Sequence, residues 1–119
     1  MAIAMHDEGG NLFRLDVRGS LRKADLERSQ KDLQAHMARV GPVKILFVLE
    51  DFEGWHSGDN WSDLSFYITH GDSIQRIAIV GDERWRSESL MFAGADLRRA
   101  PVQFFPAAAV ADARAWLAA

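Results

Sequence analysis

The sequence lacks three features that would each point to a class of protein: cysteine, a long apolar run and an excess of positive charge. Without cysteine there is no disulfide, no thiolate nucleophile and no zinc–thiolate site. No apolar run approaches the roughly 20 residues that a membrane-spanning helix needs. Lys and Arg number 14 against 17 Asp and Glu, so the formal net charge of −3 provides no general attraction to nucleic acid. We therefore expect a soluble, cytoplasmic protein that binds no nucleic acid.

The composition is that of an ordinary globular protein. Apolar residues make up 48% and charged residues 26% of the 119-residue chain, which excludes a disordered or collagen-like protein. This length suits one domain over residues 1–119, and no repeat or linker divides it.

The amino-terminal part of the sequence predicts a β-hairpin. Phe13, Leu15 and Val17 alternate with charged residues, which is the pattern of a strand with one buried face. Gly9 and Gly10 precede this strand and suit the positive φ angles of a tight turn.

Helical and strand patterns alternate along the rest of the chain. An amphipathic stripe from Leu26 to Val40 ends at Gly41, and the apolar run 43–49 is typical of a central strand covered on both faces. The later segments are predicted as a loop over 50–58, a helix over 59–70 capped by Asp59, a strand over 76–80, a helix capped by Asp82, a strand over 102–105 and a helix over 107–117. The fold class is α/β, with a mixed sheet of about five strands flanked by about four helices.

Catalytic and metal-binding chemistry has little support in the sequence. The acidic segment 50–59 follows the carboxyl end of the central strand, where ligands bind in open α/β sheets, but its spacing matches no metal-binding loop. His56 and Ser57 are the only local pairing of a base with a nucleophile, but side chains adjacent in sequence seldom point at each other. Since the chain also lacks a nucleophile elbow and a phosphate-binding loop, we expect no enzyme, no metal and no cofactor.

The four tryptophans and two basic clusters are the remaining candidates for binding. Trp55, Trp61 and Trp85 are placed to line one apolar space between helices and sheet, although packing in the core is the alternative use. The basic clusters would suit a membrane headgroup or an acidic partner and otherwise form a solvated face; they consist of Arg14, Arg18, Arg22 and Lys23, and of Arg98 with Arg99.

Two sequence elements resemble the SpoIIAA-like family. They are D-F-x-G-W at 51–55 and R-I-A-x-V-G-D-x-x-W at 76–85, and the similarity extends to Trp61–Leu64 and Ala113–Leu117. The resemblance implies a fold related to STAS domains, the anti-sigma-factor antagonists, and to CRAL-TRIO lipid-binding domains. It implies the mixed sheet that the patterns predict independently.

The resemblance leads to two expected functions, neither of them catalytic. The first is binding of a hydrophobic or lipid-like molecule, with a membrane surface as one setting for it, in a cavity of a few hundred Å³. The lining residues would be Phe52, Trp55, Trp61, Leu64, Ile68, Trp85 and Phe92.

The alternative function is a STAS-type interaction module that binds a protein partner. Its surface would comprise Trp55, Ser57, Asp59 and Asn60. Phosphorylatable STAS domains carry an Asp–Ser pair where this chain has Asp59–Asn60, so the matching serine is missing. A homodimer is compatible with either function, since apolar helix surface left uncovered in a small domain tends to pair.

Overall fold

The computed structural model describes residues 3–59, 73–94 and 100–119, which form five β-strands and three α-helices. The strands are β1 (Ile3–Asp7), β2 (Leu12–Leu21), β3 (Val43–Trp55), β4 (Ile74–Gly81) and β5 (Val102–Pro106). The helices are α1 (Lys23–Val40), α2 (Arg86–Phe92) and α3 (Val110–Ala118), and a 3-10 turn at Glu83–Trp85 precedes α2. Of the predicted helix over 59–70, all but Asp59 lies outside the described residues.

The five strands form one mixed sheet in the order β1-β2-β3-β4-β5. β1 is antiparallel to β2, and the other neighbours are parallel. The hairpin turn is the predicted one: Gly9 and Gly10 have φ of +81° and +58°, and the amide of Leu12 donates to the carbonyl of Gly9 at 3.0 Å. The mixed α/β architecture expected from the sequence is therefore confirmed.

One face of the sheet, called the α1 face, is covered by α1 and α2. Leu33 and Met37 of α1 pack on it, as the amphipathic stripe predicts. Its buried strand residues include Phe13, Leu15, Val17, Ile45, Ile77, Ile79 and Phe104. This face is the larger part of the core, and α2 adds the partly buried Leu90 and Phe92, next to Trp85, at the carboxyl ends of the strands.

The opposite face, called the α3 face, is covered by α3. Ala113 and Leu117 pack there against Leu46, Val48, Ala78, Val80 and Phe105. Lys44 Nζ donates to the carbonyl of Leu117 at 2.5 Å, and Arg76 donates to the carbonyl of Trp116. These cations meet the negative end of the helix dipole, so they hold the carboxyl end of α3 on the sheet.

The predicted loop over 50–58 is wrong for its first part, because β3 continues to Trp55. The extension pairs with the end of β2: Arg18 lies opposite Glu50, Gly19 opposite Phe52 and Ser20 opposite Gly54. Asp51 and Glu53 are thus extra residues of β3 with no partner on β2. Because of these two bulges, the side chains that reach the α1 face are three residues apart (Leu49, Phe52 and Trp55) and not two, so the acidic segment lacks the period of a regular strand.

Asp59 contacts a different helix from the one it was predicted to cap. Its carboxylate accepts hydrogen bonds from the backbone amide of Lys23 at 2.8 Å and from Arg22 Nε at 3.2 Å. Lys23 is the first residue of α1, and the preceding Arg22 makes no side-chain cap of its own. The amide hydrogen bond and then the guanidinium lower the pKa of Asp59. Asp59 therefore supplies the amino-terminal cap of α1 from a distant part of the chain.

Candidate ligand-binding site

Four of the seven predicted lining residues form one aromatic cluster at the carboxyl end of β3. The ring of Phe52 lies edge-on to Trp55 at 5.0 Å and to Trp85 at 5.1 Å, between centroids. Trp55 also contacts Phe92 of α2, with centroids 5.3 Å apart. These separations and tilts are those at which aromatic rings attract each other. The cluster joins the end of β3 to α2.

Gly54 allows Trp85 to lie against the strand. The φ of Gly54 is +99°, and a Cβ at this position would lie 3.1 Å from Cη2 of Trp85. A side chain would thus be strained in its backbone and would push the indole away. The D-F-x-G-W element has glycine here because the tryptophan of the second sequence element occupies that space.

Two apolar cavities lie side by side on the α1 face and share Phe47 as a wall. The larger has a cavity volume of about 30 Å³ and lies between α1 and the sheet. Its lining is Leu15, Leu26, Ser29, Gln30, Leu33, Ile45, Phe47, Ile74, Ile77 and Ala93. With polar groups only from Ser29 and Gln30 among the described side chains, it suits hydrocarbon.

The smaller cavity has a volume of about 10 Å³ and lies within the aromatic cluster. It is lined by Val17, Leu21, Phe47, Leu49, Phe52, Trp55, Ile79, Ser89 and Phe92. Both volumes are well below the few hundred Å³ expected from the sequence. The aromatic side chains fill most of the space that they were predicted to enclose.

Two residues that line this smaller cavity each carry a buried polar atom that has no hydrogen-bond partner within the described part of the chain. The two atoms are Nε1 of Trp55 and Oγ of Ser89. Ser89 is 1% exposed although it is polar. Sequence reasoning missed it, yet a signal was present: Ser89 stands four residues after Trp85 and three before Phe92, which places it on the same side of a helix.

The remaining predicted site residues divide into two groups. Trp61, Leu64, Ile68 and Asn60 lie outside the described residues. In the predicted partner surface, Trp55 packs in the aromatic cluster, Asp59 caps α1, and Ser57 is exposed in a turn.

The basic cluster near the hairpin is paired with carboxylates. Arg14 Nε contacts Asp16 at 2.6 Å, Arg18 contacts Glu50 at 2.5 Å, and Arg22 contacts Asp59. The hydrogen bond from Arg14 to Asp16 raises the pKa of Arg14. These pairs reduce the positive potential that a membrane headgroup would meet. Arg98 and Arg99 lie outside the described residues.

Neither a metal site nor a membrane-spanning helix is found in the part of the chain that the structure describes. Within it, no three His, Asp or Glu side chains are gathered as a metal would require. Its helices are too short or too polar to cross a bilayer.

Comparison with known proteins places the chain in a family. A family model described as SpoIIAA-like matches residues 12–118, which include every element after the first strand. The chain belongs to the SpoIIAA-like family. No curated protein matches it.

A solved structure has the same fold as this SpoIIAA-like protein. It is an uncharacterized protein of the DUF3478 family with a SpoIIAA-like fold, from Shewanella loihica PV-4. The TM-score is 0.73 at 22% identity, and the match covers 98% of this chain and 92% of that one. A likeness at this level of identity shows the fold alone.

Proposed function

We propose that this SpoIIAA-like protein is a non-catalytic binding protein for a hydrophobic small molecule, held on the α1 face between α1 and α2. The observation that supports this is the pair of adjoining apolar cavities that share Phe47. Ligand sites are typically concave and mostly apolar, with a few polar groups that fix orientation.

The partly buried side chains around Phe47 favour a ligand on this face. Leu26 of α1, Phe47 and Leu49 of β3, and Leu90 and Phe92 of α2 are all packed against the core yet remain partly accessible. Covering such apolar surface is favourable by about 25 cal/mol per Å². A flexible hydrocarbon chain lying against these side chains would gain this favourable free energy over its whole length.

The small volumes of the cavities set a condition on binding. Together they hold only a few water molecules, because a water needs about 10–15 Å³. A larger ligand therefore requires rings of the aromatic cluster to rotate outward or α2 to shift. α2 has only seven residues and packs through one side, with Ser89, Leu90 and Phe92 inward, while Met91 on its outer side is 79% exposed.

The protein-interaction alternative has less support in the geometry. Of its predicted surface residues that the structure describes, Trp55 and Asp59 are engaged inside the molecule and Ser57 alone is exposed. An interaction surface of this kind needs aromatic and apolar side chains that are free to contact a partner.

The experiment is a search for a bound molecule followed by a matched pair of variants. Native mass spectrometry of freshly purified protein, under gentle and then denaturing conditions, detects a co-purified small molecule and the oligomer mass. Binding of the neutral dye Nile red, followed by fluorescence, then compares Leu26→Asp, which places a charge in the larger cavity, with Ala24→Asp, which places one on the exposed side of α1.

We expect Leu26→Asp to abolish dye binding and Ala24→Asp to leave it unchanged. Circular dichroism checks that both variants remain folded. Equal binding by the two folded variants, or no binding by the unaltered protein, would contradict the proposal.

A further inference from the structure

We propose that the ligand of the α1 face is an uncharged molecule with a single oxygen at the end of an alkyl chain, and that Trp55 Nε1 and Ser89 Oγ bind this oxygen. The inference rests on the proposed function and specifies the chemical class of the ligand. An alcohol or an aldehyde has the required group.

The two unpartnered polar atoms carry this inference. Buried polar groups in proteins are nearly always hydrogen-bonded, and an unsatisfied one is costly. Trp55 Nε1 and Ser89 Oγ are both shielded from solvent, and their residues line one cavity of about 10 Å³. That volume holds one oxygen atom or one water molecule. The surface of the cavity is otherwise apolar, so an oxygen bound between Trp55 and Ser89 would supply a partner for both residues.

The donor and acceptor chemistry determines what the oxygen must do. The indole N–H of Trp55 is a donor only, whereas the hydroxyl of Ser89 both donates and accepts. The bound atom must therefore accept from Trp55, and it can accept from or donate to Ser89. An oxygen meets this requirement, and a protonated amine does not.

The surroundings of the cavity argue against a charged group. None of the described residues that line it is ionisable. The nearby guanidinium of Arg84 lies 4.9 Å from the centroid of the Trp85 ring and is on an exposed residue, and Arg86 is paired with Glu83 at 2.6 Å. A carboxylate would lose its hydration without gaining a counter-ion, which is strongly unfavourable.

The shared wall between the cavities gives the alkyl chain its path. With the oxygen between Trp55 and Ser89, the chain passes Phe47 and enters the larger cavity beside Leu26 and Leu33. In this arrangement the polar end lies in the aromatic cluster, and the hydrocarbon lies between α1 and the sheet.

The test compares three probes of equal chain length: 1-octanol, octane and octanoate. The displacement of Nile red by each probe is measured for the unaltered protein and for Ser89→Ala. In parallel, NMR follows the indole N–H signal of Trp55, which is assigned by its absence from Trp55→Phe. We expect 1-octanol to bind more tightly than octanoate, and more tightly than octane by about fivefold for each of the two hydrogen bonds. We expect Ser89→Ala to reduce that preference by about fivefold, the value of one hydrogen bond. Its unfolding midpoint should stay the same or rise, because the deleted hydroxyl has no partner among the described residues.

The outcomes separate this inference from the proposed function. Equal binding of 1-octanol and octane, stronger binding of octanoate, or an undiminished alcohol preference in Ser89→Ala would overturn the inference and leave hydrophobic binding intact. Failure of all three probes to displace the dye, together with the absence of any co-purified molecule, would overturn both.

Discussion

At the scale of single residues, backbone conformation decides which side chains can meet. Gly54 illustrates this, because its positive φ and its missing Cβ together let Trp85 lie on β3. The aromatic cluster depends on the absence of one methyl group as much as on its four rings.

Substituting this glycine tests the dependence directly. We expect Gly54→Ala to destabilise the protein through the positive φ by about 1–2 kcal/mol and through the displaced indole by about 1–3 kcal/mol more. Gly9→Ala is the matched control, since Gly9 also has a positive φ, +81°, but a Cβ there would have no other atom within 4 Å. Urea unfolding, monitored by tryptophan fluorescence, measures the loss of stability in both variants. Equal losses would show that Trp85 does not need this space.

At the scale of secondary-structure elements, α1 depends on a carboxylate from outside itself. Asp59 stands 36 residues after Lys23 and still accepts the hydrogen bond from its amide. The cap thus joins the segment that follows β3 to the start of α1. It stabilises both the helix and the contact between these two parts of the chain.

The cap makes the stability of the protein depend on pH. The pKa of Asp59 is lowered in the folded state, so its contribution is fully present above the ordinary carboxyl pKa of about 3.9 and is lost as the pH falls through the lower folded value. We expect Asp59→Ala to lower the urea midpoint at pH 7, and the difference from the unaltered protein to shrink below pH 4. Asp59→Asn keeps an acceptor oxygen and should lose less at pH 7. A difference that does not change with pH would contradict an ionised cap.

The sequence predicts the strands that local hydrophobic patterns encode, but it does not predict features that depend on contacts between distant segments. The alternation at 13–17 and the unbroken run at 43–49 predict strands because burial dictates side-chain period. The ends of β3 and β4 lie at the same edge of the sheet, so the meeting of Phe52 and Trp85 could be expected. The extension of β3 could not, since bulges at Asp51 and Glu53 disguise it. Nor could the cap at α1, which depends on pairing between segments far apart in sequence.

At the scale of the whole molecule, the two faces of the sheet are closed by different parts of the chain. α1 and α2 cover one face, and α3 covers the buried residues of the other. Leu117 is 1% exposed and anchors α3 on the sheet. The stability of the whole domain therefore depends on its last helix.

Truncation of Leu117 measures this dependence. We expect Leu117→Ala to cost about 2–5 kcal/mol, as other large-to-small changes in cores do, with a lower urea midpoint and an unchanged slope. Met91→Ala, at a side chain that is 79% exposed, serves as the comparison and should change stability by less than about 0.5 kcal/mol. A loss for Leu117→Ala no larger than that for Met91→Ala would show that α3 is not part of the cooperative unit.

The sheet order also has a consequence for biosynthesis. Because the strands are arranged in space as they are in sequence, each strand that leaves the ribosome finds its neighbour already made. Among the strands that the structure describes, none has to be inserted between two others as the sheet forms. Since α3 comes after all the strands on which it packs, the apolar side chains that it covers are synthesised before their cover.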